Sequence, residues 1–126
     1  MSHALPTDVQ TLLRVRIGSY EQLHILLFLF QERTEWSAEL LATHFNLSEG
    51  STSEALSALV MHGLVATISG VTAPKYRYVS GAHDPTVKTL ARVYQEQPLS
   101  VIRLLDEQSF ERIRAFADAF LFRKDK

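Results

Sequence analysis

The chain has 126 residues, with 13 lysines and arginines against 14 aspartates and glutamates, a net charge of −1 and 46% hydrophobic residues. That length suits one compact domain, and the balance excludes a disordered chain and any global field that would draw it to nucleic acid or an anionic membrane. There is no cysteine, which excludes disulfides and thiolate metal sites and makes a reducing cytoplasm the expected compartment.

The first residues, MSHALPTDVQTLLRVR, hold no long apolar core and no small-residue cleavage site, so no secretory signal is expected. The longest apolar run, Ile25 to Phe30, falls far short of the roughly 20 residues a membrane span needs. Thr7 to Arg16 carries Val9, Leu12, Leu13 and Arg16 at helical spacing. Gly18 punctuates the chain, and Ser19 can cap the next helix. That helix, Tyr20 to about Glu32, is apolar nearly all round, so it must be buried nearly all round. Its apolar run alone would also fit a buried strand; the longer rhythm favours helix.

Ser37 is a good N-cap, with Glu39 in the first turn of a helix from Ala38 to about His44. This helix is expected to bury Leu40, Leu41 and Phe45. Asn46-Leu47-Ser48 makes a turn. Two caps for the following helix stay open: Ser48, or Ser51 with Glu54 completing a capping box. Gly50 weakens the first turn either way. The helix reaches Met61 or His62 and stops at Gly63. Leu64 to Ile68 and Lys75 to Val79 read as two strands joined through a loop that begins at Ser69-Gly70. Asp84-Pro85 predicts a helix start, with Asp84 as N-cap and Pro85 at the first helical position. Val87, Leu90, Tyr94, Val101 and Leu104 form one stripe, and Pro98 predicts a kink or break near Gln97. Ser109 caps a last helix bearing Phe110, Ile113, Ala117 and Phe120, with Arg123 and Lys124 at its end.

No repeat, low-complexity tract or linker divides the chain. The expected organisation is one domain over 1–126, with a core module over about 19–79 and flanking helices over about 7–17 and 84–122. The class is mainly α with a small β-hairpin (α+β). A plain three-helix bundle with an incidental hairpin is the competing architecture.

Two stretches carry a more specific likeness. They are Leu40-Leu41-Ala42-x-x-Phe45-x-Leu47-Ser48 and Ala55-Leu56-x-x-Leu59-Val60-x-x-Gly63-Leu64-Val65. Together they resemble the winged helix-turn-helix of bacterial MarR-type regulators, over about Ser19 to Val79. The closing segment from Arg112 to Asp125 is similar to the ends of small bacterial winged-helix proteins. The resemblance implies a winged helix-turn-helix with flanking N- and C-terminal dimerisation helices, and a dimeric transcriptional regulator.

Such modules insert the helix after the turn into the major groove and lay the wing along a phosphate backbone. Thr52, Ala55, Leu56, Leu59 and Val60 are expected to face the core. Gly50, Ser51, Glu54, Ser57, Ala58 and Met61 are then the DNA- or partner-facing side, which contains no Arg, Lys, Asn or Gln. Between Arg33 and Lys75 the chain has no basic residue other than histidine; its formal charges are Glu35, Glu39, Glu49 and Glu54. Phosphate contact would fall to Lys75 and Arg77 in the wing, with Arg14, Arg16 and Arg33 outside the gap. A solvated strand edge guarded against aggregation explains Lys75 and Arg77 equally well. The expected function is a dimeric regulator with weak or wing-dominated DNA contact. The alternative is a protein-interaction module that does not bind DNA, with Ser51, Ala58 and Met61 suited to a partner's apolar groove.

Val9 and Leu12 before the module, and Val87, Leu90, Tyr94, Val101, Leu104, Ile113, Phe116 and Phe120 after it, supply more apolar surface than a small module can cover. A homodimer interface is expected to bury it; packing back onto the Ile25–Phe30 helix would do so too. No enzyme, metal or cofactor is expected. The chain has no G-x-S-x-G elbow, phosphate-cradling loop or His-Glu-x-x-His helix, and its five histidines are scattered. His24 reads as partly buried or at an interface, His44 and His62 as helix-surface residues. Tyr20, Trp36, Tyr94 and the phenylalanines could line a small-molecule pocket, although such a stripe is more often core.

Overall fold

The computed structural model describes residues 5–69 and 73–107. The order is α1 (Thr7–Val15), α2 (Tyr20–Glu32), β1 (Trp36–Ser37), α3 (Ala38–Phe45), α4 (Glu49–Met61), β2 (Val65–Ile68), β3 (Lys75–Tyr78) and α5 (Asp84–Glu96). A further helical stretch, α6, covers 98–107. No described helix is long and apolar enough to cross a membrane.

Serine hydroxyls start three of these helices. Ser19 Oγ accepts from the Gln22 amide at 3.2 Å, Ser37 Oγ from Leu40 at 3.2 Å, and Ser48 Oγ from Ser51 at 3.1 Å. The open choice at α4 therefore resolves to Ser48; Ser51 is inside the helix, and its amide is the group being capped. Left-handed residues stop α2 and α3: Arg33 at φ 59° and Asn46 at φ 57°. Gly63, at φ 78°, turns the chain from α4 into β2, a conformation glycine adopts without a Cβ penalty. α5 begins one residue earlier than expected. Its N-cap is His83, and Asp84 is its first residue. The Asp84 side chain is engaged elsewhere, accepting a hydrogen bond from the Tyr78 hydroxyl at 2.6 Å. The predicted break before Pro98 is present: α5 ends at Glu96, and Gln97 leaves the helical conformation.

The sheet is antiparallel in the order β1-β3-β2, with Trp36 opposite Tyr76 and Val65 opposite Tyr78. β1 carries no signal in the sequence, because a two-residue strand has no periodicity to detect. Pairing on both sides makes β3 the central strand. Its residues alternate: Lys75 and Arg77 are exposed, Tyr76 is half-buried and Tyr78 is buried. That is the period-2 geometry of a strand with one face on the core.

α2 runs through the centre, against α4, α5 and β3. Leu23, Ile25, Leu26 and Leu29 are fully buried, as an all-round apolar helix requires. Around them gather Val9 and Leu13 of α1, Leu41 of α3, and Leu56 and Leu59 of α4. Two expectations need correction. Leu40 is 55% exposed, because the side of α3 facing α4 is occupied by Leu41 and Ala42. Val87, Leu90, Val101 and Leu104 lie inside the same core cluster, with α5 packed on α1 and α2. Their burial needs no second chain, so the apolar surplus inferred from these four disappears when the helices fold back. Ile113, Phe116 and Phe120 lie outside the described residues.

Candidate nucleic-acid interface

The helix after the turn, α4, divides cleanly. Thr52, Ala55, Leu56 and Leu59 are buried, and Val60 is half-buried. Thr52 is the buried polar residue of the described chain, and its hydroxyl donates to the Ser48 carbonyl oxygen at 2.9 Å. On the opposite side Gly50, Ser51, Glu54, Ser57 and Met61 are exposed, with Ala58 half-buried. Glu49 and Ser53 are exposed as well and were not singled out from the sequence. Met61 is 81% exposed, unusual for an unbranched apolar side chain. The outward face thus offers hydroxyls, carboxylates and one thioether.

The basic residues near the module divide into two kinds. Arg16 and Arg33 are spent on the fold. Arg16 Nη1 donates to the His62 carbonyl oxygen at 2.8 Å and so satisfies the C-terminal end of α4. The Arg33 guanidinium stacks over Phe30 at 4.6 Å and faces Tyr78 at 5.5 Å from their ring centres, and its Nη1 donates to Ser80 Oγ at 3.1 Å. This ties the end of α2 to the end of β3. The Tyr78–Asp84 bond carries the tie into α5. Burial, and then the bond to Asp84, push the Tyr78 hydroxyl well above its ordinary range. The same Tyr78 hydroxyl, with a backbone hydrogen bond at Gly81, holds the Asp84 carboxyl below the usual carboxylate range. Lys75 and Arg77 are different. Two residues apart on the exposed face of the central strand, they project to the same side of the wing. Arg14 is also exposed, on α1.

Two histidines, His24 and His44, are engaged in packing contacts. His24 is half-buried and hydrogen-bonded to the Tyr94 hydroxyl at 2.8 Å, joining α2 to α5. His44, although exposed, meets the rings of Phe28 at 4.4 Å, Phe45 at 4.8 Å and Trp36 at 5.9 Å. Tyr20 tilts against His24 at 6.0 Å, and Phe28 meets Trp36 at 4.8 Å and Phe45 at 5.4 Å, so these described aromatic residues pack on neighbouring rings. Among the described residues no group of His, Asp and Glu is placed to hold a metal ion. A hollow between α2 and α4 is lined by Ser19, Glu21, Gln22, Ser51, Glu54 and Ala55, and its two carboxylates make it a poor seat for phosphate.

No family model and no curated protein sequence matches the chain. Solved structures do. The adhesin competence repressor AdcR from Streptococcus pyogenes superposes with a TM-score of 0.54 at 20% identity, over 94% of this chain and 92% of that one. A MepR variant from S. aureus bound to an oligodeoxyribonucleotide gives 0.57 at 17%, over 92% and 86%. A ZitR variant from Lactococcus lactis in complex with DNA gives 0.53 at 21%, over 86% and 75%. At these identities the likeness is one of fold. With three helices leading into a paired wing and further helices flanking them, the chain is a winged helix-turn-helix that resembles the MarR-type regulators in structure.

Proposed function

We propose that the protein is a dimeric winged-helix transcriptional regulator whose contact with DNA is weak and runs mainly through the wing. The observation that carries this reading is the pairing of Lys75 and Arg77 on the exposed face of β3, while α4 presents no base-reading cation or amide. Two exposed cations per chain are four per dimer, a modest footprint beside the roughly 6–10 phosphate contacts of a strongly salt-sensitive binder. Similarity of fold to MepR and ZitR variants solved with bound DNA supports the role. In the dimer, Tyr94, Phe116 and Phe120 remain contact candidates from the flanking segments. Val15 and Leu99, 57% and 65% exposed on α1 and α6, join them. A cytoplasmic location accords with this role.

The test is binding to random duplex DNA at about 50 mM salt and again at moderate salt, because the phosphate contribution is largest at low salt. Weak, salt-sensitive binding that falls in a Lys75→Ala, Arg77→Ala double variant supports the reading. No binding at low salt overturns it. Sedimentation at low micromolar concentration tests the dimer, and a single species near the 14.3 kDa chain mass overturns that part.

A second reading has its own observation. Met61 and Leu40, 81% and 55% exposed within the stretch that lacks lysine and arginine, suit a protein-interaction surface better than a phosphate-lined groove.

A further inference from the structure

We propose that the outward face of α4 is a docking surface for a basic amphipathic helix of a partner protein. The inference rests on the interaction-surface reading above and names the chemistry of the partner.

Three features of the face define what fits it. Glu54, Ser57 and Met61 follow one another at helical spacing and are all exposed, so they form one stripe along the helix. Met61 ends the stripe as an apolar anchor, its flexible thioether side chain almost wholly in solvent. Gly50 and Ser57 leave little bulk along the same side, which lets another backbone approach closely.

The charge decides the sign of the partner. Glu54 is the exposed carboxylate of this stripe; Glu49 is exposed at the start of α4, Glu39 on α3 and Glu35 just before β1. No lysine or arginine lies between Arg33 and Lys75 to neutralise them. Arg33 is itself engaged with Phe30, Tyr78 and Ser80. A phosphate backbone brought to this face meets carboxylates. An acidic helix meets like charge. A helix with an apolar residue for Met61, and a lysine or arginine about two turns away for Glu54, is matched in both respects.

The experiment uses the full chain and three fluorescent helical peptides of one length. The first has leucines at i, i+3, i+4 and i+7 with lysines elsewhere. The second replaces every lysine with glutamate. The third keeps the lysines and replaces the leucines with serine. At about 50 mM salt the first peptide is expected to bind at least about tenfold more tightly than the glutamate peptide, which turns charge attraction into repulsion, and more tightly than the serine peptide, which loses the apolar contact with Met61. Met61→Ser and Glu54→Lys, both at exposed positions, are each expected to weaken it about fivefold or more while leaving the circular dichroism spectrum unchanged. Equal binding of the glutamate peptide leaves an interaction surface in place and overturns the basic partner. Binding of the first peptide that neither variant weakens places the contact off α4 and overturns the proposal. Binding by none of the peptides overturns both the proposal and the interaction reading. Random duplex DNA that shifts the α4 amide resonances, where the first peptide does not, assigns the face to nucleic acid and overturns the proposal.

Discussion

The helix α4 and the strand β3 solve the same packing problem and present opposite chemistry to solvent. Each has one side in the core: Thr52, Ala55, Leu56 and Leu59 on the helix, Tyr78 and part of Tyr76 on the strand. Each leaves the other side in water. There the strand offers Lys75 and Arg77, and the helix offers Glu54, Ser57 and Met61. The winged-helix fold requires only the inward sides. What the module binds is written on the outward ones, which packing does not constrain.

The difference predicts a hierarchy of effects. The largest belongs to the inward side of α4. Leu56 is fully buried, and Leu56→Ala should cost about 2–5 kcal/mol in urea unfolding, while Met61→Ala stays within about 0.5 kcal/mol. A comparable loss from both would show that the outward face also holds the fold together. The second effect belongs to the outward side of β3. Replacing Lys75 and Arg77 with alanine should flatten the log–log salt dependence of duplex binding by about 2 per chain, one for each lost phosphate contact. An unchanged slope would move the DNA contact away from the wing.

A smaller effect tests how α4 is held at its start. Ser48→Ala removes the hydroxyl that caps the helix and should cost about 1 kcal/mol; Ser51→Ala, inside the first turn, should cost less than about half of that. The reverse order would restore the capping box that the sequence left open.

The last prediction concerns the tie from β3 to α5. Tyr78 has a raised pKa in the fold, from burial and its bond to Asp84. Its contribution is therefore complete below the ordinary tyrosine value of about 10 and is lost as pH rises above it. Asp84 has the opposite sign. Its pKa is lowered, chiefly by the Tyr78 hydroxyl, so its contribution is complete above about 4 and is lost as pH falls. Melting temperatures between pH 9 and about 11 should fall less steeply for Tyr78→Phe than for the parent chain. Tyr20, also raised by burial and by nearby Asp106, keeps some alkaline slope in both. Identical alkaline slopes would show that burial and the bond to Asp84 do not hold the Tyr78 hydroxyl protonated in the fold.

Much of this fold was legible in the residues. Ser19, Ser37 and Gly63 marked element ends, Pro98 marked a break, and the all-round apolar face of α2 announced a central helix. The two-residue β1 was not legible, because it exists only through pairing with β3. Leu40 misled because an apolar residue at helical spacing does not reveal which side its helix turns inward, and Leu41 and Ala42 took that side. At the candidate site, the lack of basic residues on α4 was already plain. The engagement of Arg16 with the His62 carbonyl joins residues 46 positions apart, and no local pattern carries that information.

By itself the sequence determined the helices, the wing strands and the stretch without lysine or arginine, because caps, periodicity and composition act over a few residues. Tertiary structure decided which partner each surface found. It folded Val87, Leu90, Val101 and Leu104 into the core of the same chain, spent Arg16 and Arg33 on the scaffold, and left Lys75, Arg77 and Met61 in solvent. Those outcomes depend on contacts between residues far apart along the chain.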